Sequence, residues 1–157
     1  MKRIIRFSWA YPMVGIALCS LLFSFSFRPG AHSFQVYLDS KLVIDQYVNF
    51  KSDAPELKLD PAENQSQLIV KYSECGRRVT GRMIALKDDG GKLLKEWRFE
   101  GASTGYQESM KCSVKDILAL KHKGDNALRL YYSSNEFPEG QMIVRLAFSG
   151  DAKTALN

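Results

Sequence analysis

Histidine is almost missing from this chain, at 2 of 157 residues, and cysteine is scarce at 3. Histidine is the commonest general base and metal ligand. His32 and His122 stand far apart, and a zinc centre wants three or four Cys, His or carboxylate ligands in a cluster. No nucleophile elbow surrounds a serine, and no EF-hand spacing occurs. Gly90-Gly91 reads as a hairpin turn rather than a phosphate loop. Adjacent Asp88-Asp89 also read as turn formers, not as the separated carboxylate pair of a glycosidase. The expectation is a protein that is not an enzyme and needs no cofactor or metal.

A long run of one charge sign is missing as well. The net charge is +5, but Lys2, Arg3, Arg6 and Arg28 account for four of the 22 basic residues. The remaining 18 face 17 acidic residues, close to balance. A nucleic-acid binder carries a basic stripe that neutralises phosphates, so nucleic acid is not an expected partner. The densest patch is Arg77, Arg78 and Arg82, whose plainer reading is a solvated loop rather than an anion site.

One long apolar run is present, at the N-terminus. Lys2, Arg3 and Arg6 precede an uncharged stretch from Phe7 to Phe27. Arg28, Pro29 and Gly30 break it, and Ala31-His32-Ser33 places small residues where a signal peptidase reads. Residues 1–33 therefore read as a signal helix, cut between Ser33 and Phe34. The alternative is a retained anchor, because about 20 apolar residues span a bilayer, with the basic end inside. Leu18 before Cys19 does not suit a lipid anchor. Either way residues 34–157 are expected outside the cytoplasm, in the periplasm or extracellular space, touching membrane only through the N-terminal segment. Cys75 and Cys112 then remain, and two cysteines in an oxidising compartment usually pair. A Cys75–Cys112 disulfide would contribute about 3–4 kcal/mol in the chain-entropy model.

After the leader, alternation of apolar and polar residues dominates. Strands are expected at 34–38, 42–48, 57–59, 67–73, 82–87, 92–99, 127–133 and 142–149. Asp89-Gly90 is a strong hairpin turn, which would set Leu86 opposite Leu93, Ile84 opposite Lys95 and Arg82 opposite Trp97. Ser113-Val114-Lys115-Asp116 fits a capping box for one short helix near 114–121, stopped by Gly124. Residues 151–157 read as a frayed tail. The sum is an all-β fold, an antiparallel β-sandwich over 34–150, immunoglobulin-like or jelly-roll, with one connecting helix. Leu68 to Ser73 (LIVKYS) echoes Leu128 to Ser133 (LRLYYS), for which chance alternation is the simpler explanation. Asn64-Gln65-Ser66 matches a glycosylation sequon.

The candidate binding surface consists of Tyr106, Tyr131, Tyr132 and Phe137, with Arg77 and Arg78. Tyrosine and arginine recur at interfaces because each joins area to a polar handle. Alternation forbids Tyr131 and Tyr132 from both facing the core. The expected role is non-catalytic: binding another protein or envelope component, or supporting an assembly. The alternative is a glycan-binding module that stacks sugars on Tyr131, Tyr132, Tyr106 or Trp97.

Overall fold

The computed structural model describes residues 32–48, 53–122 and 127–149. Residues 1–31 of the expected leader or anchor and the expected C-terminal tail lie outside the described residues. Alternation becomes strand wherever it was strongest. The strands are β1 (Ser33–Leu38), β2 (Lys41–Tyr47), β3 (Glu56–Leu59), β4 (Gln67–Ser73), β5 (Arg78–Val79) and β6 (Arg82–Lys87), followed by β7 (Leu93–Phe99), β8 (Ser103–Thr104), β9 (Met110–Ser113), β10 (Ala127–Ser133) and β11 (Gln141–Phe148). Helix α1 (Val114–Leu120) lies between β9 and the C-terminal strands, and a 3-10 turn covers Pro61–Glu63.

The strands form a four-stranded sheet in the order β2-β1-β4-β9 and a five-stranded sheet in the order β3-β11-β10-β6-β7. A two-stranded ribbon pairs β5 with β8. Neighbours are antiparallel except β3, which runs parallel to β11. Among the described residues the fold is all-β with one helix. One buried core takes Val36, Leu68, Val70 and Met110 from the first sheet and Ile84, Leu86, Leu130 and Leu146 from the second. Val114 and Ile117 of α1 complete it. Each such aliphatic side chain stabilises the fold by about 1.5–3 kcal/mol on burial.

Three local expectations are corrected. The β6–β7 hairpin turns on Asp89, Gly90 and Gly91: Gly91 N donates to Asp88 O, and Asp88 N to Lys92 O, both at 3.0 Å. Gly91 takes the left-handed conformation at φ 84°, the pattern of a three-residue loop with a bulge. Arg82 therefore pairs with Phe99, Ile84 with Trp97 and Leu86 with Lys95, while Leu94 is the extra residue beside the Lys87–Leu93 pair. Leu94 packs against the core and Leu93 is 47% exposed.

The capping box at α1 is also absent. Ser113 makes no side-chain cap bond, and the Asp116 carboxylate that would reach back pairs instead with Lys95 Nζ at 2.6 Å. A reciprocal box instead starts the 3-10 turn, where Asp60 Oδ1 accepts from Ala62 N at 2.8 Å and Glu63 Oε2 accepts from Asp60 N at 3.0 Å.

The Cys75–Cys112 disulfide is not formed. Cys112 pairs with Leu68, near the start of β4. Cys75 lies past the other end of that strand, in a turn at φ 57°. At about 3.3 Å per residue, Leu68 to Ser73 alone spans on the order of 16 Å. A disulfide tolerates Cα separations of only about 4.4–6.8 Å.

Candidate functional site

The inner face of β4 runs Leu68, Val70, Tyr72, and its next inward position is Glu74. The inner face of β10 runs Leu128, Leu130, Tyr132, and its next is Ser134. All eight are buried. Both series pass from aliphatic to aromatic to polar toward the same end of the molecule. There the Tyr72 and Tyr132 rings stack at 3.8 Å between centroids and 16° between planes. The LIVKYS and LRLYYS echo thus lies in two strands, one in each main sheet, whose tyrosines meet across the core.

Glu74 is only 3% exposed, and a buried carboxylate is tolerated when donors surround it. Its Oε1 accepts from Tyr132 OH at 3.0 Å and from Ser134 Oγ at 2.6 Å. Ser134 Oγ in turn accepts from Phe137 N at 3.0 Å. Tyr72 OH is hydrogen-bonded to His32 Nδ1 at 3.1 Å, and the His32 ring meets Phe137 edge-on at 5.3 Å. Burial first, and the Glu74 charge second, push both tyrosine hydroxyls well above their ordinary pKa. Both stay neutral: Tyr132 donates to Glu74, and the stacked rings serve as packing surface.

Above this layer the loops are tied together. Thr80 N and Oγ1 donate to the two Glu136 carboxylate oxygens at 2.9 and 3.0 Å. The Thr80 N–H holds the Glu136 carboxyl below the usual range. Asn135 N donates to Thr80 O at 3.0 Å, and Asn135 Nδ2 to Thr80 Oγ1 at 3.1 Å. Gly81 beneath it sits at φ 57°, where an L side chain is strained, and a Cβ there would also crowd the Asn135 amide.

At the ends of β6, β7 and β10 a notch of about 280 Å³ opens, lined by Arg82, Arg98, Phe99, Ser133, Ser134 and Asn135 among others. Arg82 shares the core-facing side of β6 with Ile84 and Leu86, and is 3% exposed. Among the described residues its one hydrogen bond is long, from Nη1 to Glu108 O at 3.5 Å, and its Nε has no partner. The solvated-loop reading of this arginine is therefore corrected.

The sequence-derived surface residues divide. Tyr132, expected at a binding surface, is fully buried because it continues the inner series of β10. Tyr131 takes the opposite face, under Lys87 Nζ at 4.3 Å, beside a groove of about 270 Å³. Phe137 is half-buried against the core, Tyr106 is half-buried, and Arg77 and Arg78 are exposed. The β5–β8 ribbon, pairing Arg78 with Thr104, joins the loop of Arg77 and Arg78 to the loop of Tyr106. The expected cleavage point, Ser33–Phe34, lies on β1, with Phe34 buried. Glu74, Ser134, Arg82 and His32 were missed as participants. The available signal was alternation carried one step past Tyr72 and Tyr132, and one step back from Ile84. Among the described residues no group of three His, Cys, Asp or Glu is placed to hold a metal. Neither a scan against protein-family models nor a search of curated proteins finds a match to the chain.

Proposed function

We propose that the chain is an exported, non-catalytic β-sandwich domain, immunoglobulin-like or jelly-roll in type, that binds another protein of the envelope or extracellular space. The partner contributes an extended segment that adds to the edge of β2. The observation that carries this reading is the state of the sheet edges. β2 is a seven-residue edge strand on which Leu42 is 45% and Tyr47 75% exposed. Edge strands are usually blunted by charge, shortness or cover. β7 carries Lys95 and Arg98 in ion pairs with Asp116 and Glu96, β3 is four residues long, and β9 runs directly into α1. An open strand edge with apolar side chains is the template for strand addition.

The test is photo-crosslinking from Gln46, with Lys115 on α1 as the control position, in the native compartment. A discrete adduct from position 46, lost when Leu42→Lys and Tyr47→Lys are introduced together, supports the reading. Equal labelling from both positions, or an adduct indifferent to the lysines, contradicts it. The glycan alternative rests on Tyr131, whose ring borders the outer groove on the five-stranded sheet. Binding of neutral oligosaccharides that Tyr131→Ala abolishes would favour it over strand addition. A leader cut after Ser33 would also remove His32, and with it the bonds to Tyr72 OH and from Val48 N to His32 O. A cut before His32 keeps both, and the intact mass of the exported protein distinguishes the two.

A further inference from the structure

The notch at the ends of β6, β7 and β10 contains a buried cation, Arg82, that no ion pair neutralises among the described residues. A guanidinium cannot shed its proton at any physiological pH. Burying one without a counter-charge is strongly unfavourable unless something else supplies the anion. Arg82 is 3% exposed, and among the described residues no carboxylate forms an ion pair with it. The nearby buried carboxylate, Glu74, has its Oε1 committed to Tyr132 and Ser134. Among the described residues Arg82 Nε is buried with no acceptor, and the one bond from the fork, through Nη1, is at the limit of hydrogen-bond length.

We propose that this notch is a binding site for a small monocarboxylate bearing an apolar group, held through the Arg82 fork. Three features select that chemistry. Nε–H beside an Nη–H is the planar pair that grips a carboxylate with two parallel bonds. The charged lining is Arg82, Arg98 and Glu100, one net positive charge, which suits a monoanion better than a phosphate dianion. Ser133 and Asn135 add polar contacts on one side, and Phe99 and Met83 offer apolar surface on the other. A volume of about 280 Å³ holds a small acid or the last residue of a peptide. The site is separate from the β2 edge and does not depend on the strand-addition reading.

The experiment follows the Arg82 Nε–H resonance of the intact chain during titration with sodium benzoate, sodium hexanoate, benzamide and inorganic phosphate. N-acetyl-glycyl-phenylalanine and its C-terminal amide are added as a second pair. Saturable shifts with the carboxylates, and binding at least about tenfold weaker for benzamide and phosphate, are expected from the loss of a charge-assisted bidentate bond. Tighter binding of the peptide acid than of benzoate would identify a chain terminus as the source, and the reverse a free acid. Arg82→Lys keeps the charge without the fork and is expected to weaken benzoate at least about tenfold. Benzamide or phosphate binding as well as benzoate, or no carboxylate moving the resonance, would overturn the proposal. The acid–amide comparison needs no variant, so it decides the matter even if Arg82→Lys does not fold.

Discussion

The two ends of the core are built on opposite rules. At one end Leu38, Leu68 and Cys112 lie in a row across β1, β4 and β9, and Val114 and Ile117 of α1 pack into the same core. This end is dry. Its one thiol, Cys112, is pushed up to about 12, chiefly by burial, so it behaves as a small apolar side chain. At the other end the same strands finish in Tyr72, Glu74, Tyr132 and Ser134, which are as buried but joined by directed bonds. The dry end is specified by volume, and many shapes of similar size would serve. The polar end is specified by direction, because its side chains are joined by hydrogen bonds that need fixed donor and acceptor positions. Directed bonds hold loops in one arrangement, and the notch and the tied loops lie at that end.

Substitutions at matched depth sharpen the contrast. Ile117→Ala, at the dry end, is expected to cost about 2–5 kcal/mol from lost burial and the cavity left behind. Leu128→Met keeps the volume and should cost under about 1.5 kcal/mol. Tyr132→Phe also keeps the volume, yet is expected to cost about 1–3 kcal/mol because Glu74 loses a donor. Chemical denaturation of the three variants checks the order; a Tyr132→Phe cost no larger than that of Leu128→Met would erase the distinction.

The pH response separates the ends more gently. Burial raises the Tyr72 and Tyr132 pKa values, so above about pH 10 the unfolded chain ionises where the folded chain does not. Stability is intact below that pH and falls as pH rises beyond it. Tyrosinate absorbance should show two of the seven tyrosines ionising only with unfolding, and both titrating freely in the folded protein would contradict their burial. On the acid side, backbone hydrogen bonds from Thr80 and Gln67 lower the Glu136 and Asp39 pKa values. Their contribution is present above about pH 4 and is lost as pH falls through the depressed values. Both groups are fully exposed, so this effect is the smallest, and Glu136→Gln should flatten the acid slope without moving the alkaline limb.

Much of this was written locally. Leu68-Val70-Tyr72 and Leu128-Leu130-Tyr132 declare strands and name their inward faces, because the side-chain period of two needs no knowledge of partners. Alternation also required Tyr131 and Tyr132 to face opposite ways, but not which of them faced inward. The hairpin register was not legible: an Asp-Gly pair suggests a two-residue turn, whereas left-handed Gly91 adds a third loop residue and the bulge at Leu94 shifts the register by one more. The failed disulfide shows the same limit from farther away. Two cysteines state that pairing is chemically allowed, while the β4–β9 register decides that they sit at opposite ends of a strand. The reciprocal half of the helix cap was lost to competition, since Asp116 pairs with Lys95 of β7. Arg82 was misread because a charge beside a turn normally points to water. Its burial follows from continuing the inward face of Ile84 and Leu86, which no residue-type preference favours.

A double-mutant cycle combining Glu74→Ala with Tyr132→Phe tests the directed bonding of the polar end most directly. If the buried carboxylate and the tyrosine hydroxyl hold that end together, the two losses are non-additive, with a coupling of about 1 kcal/mol or more. Losses that simply add would show that the bond contributes nothing of its own and that the polar end, like the dry one, is held by packing alone.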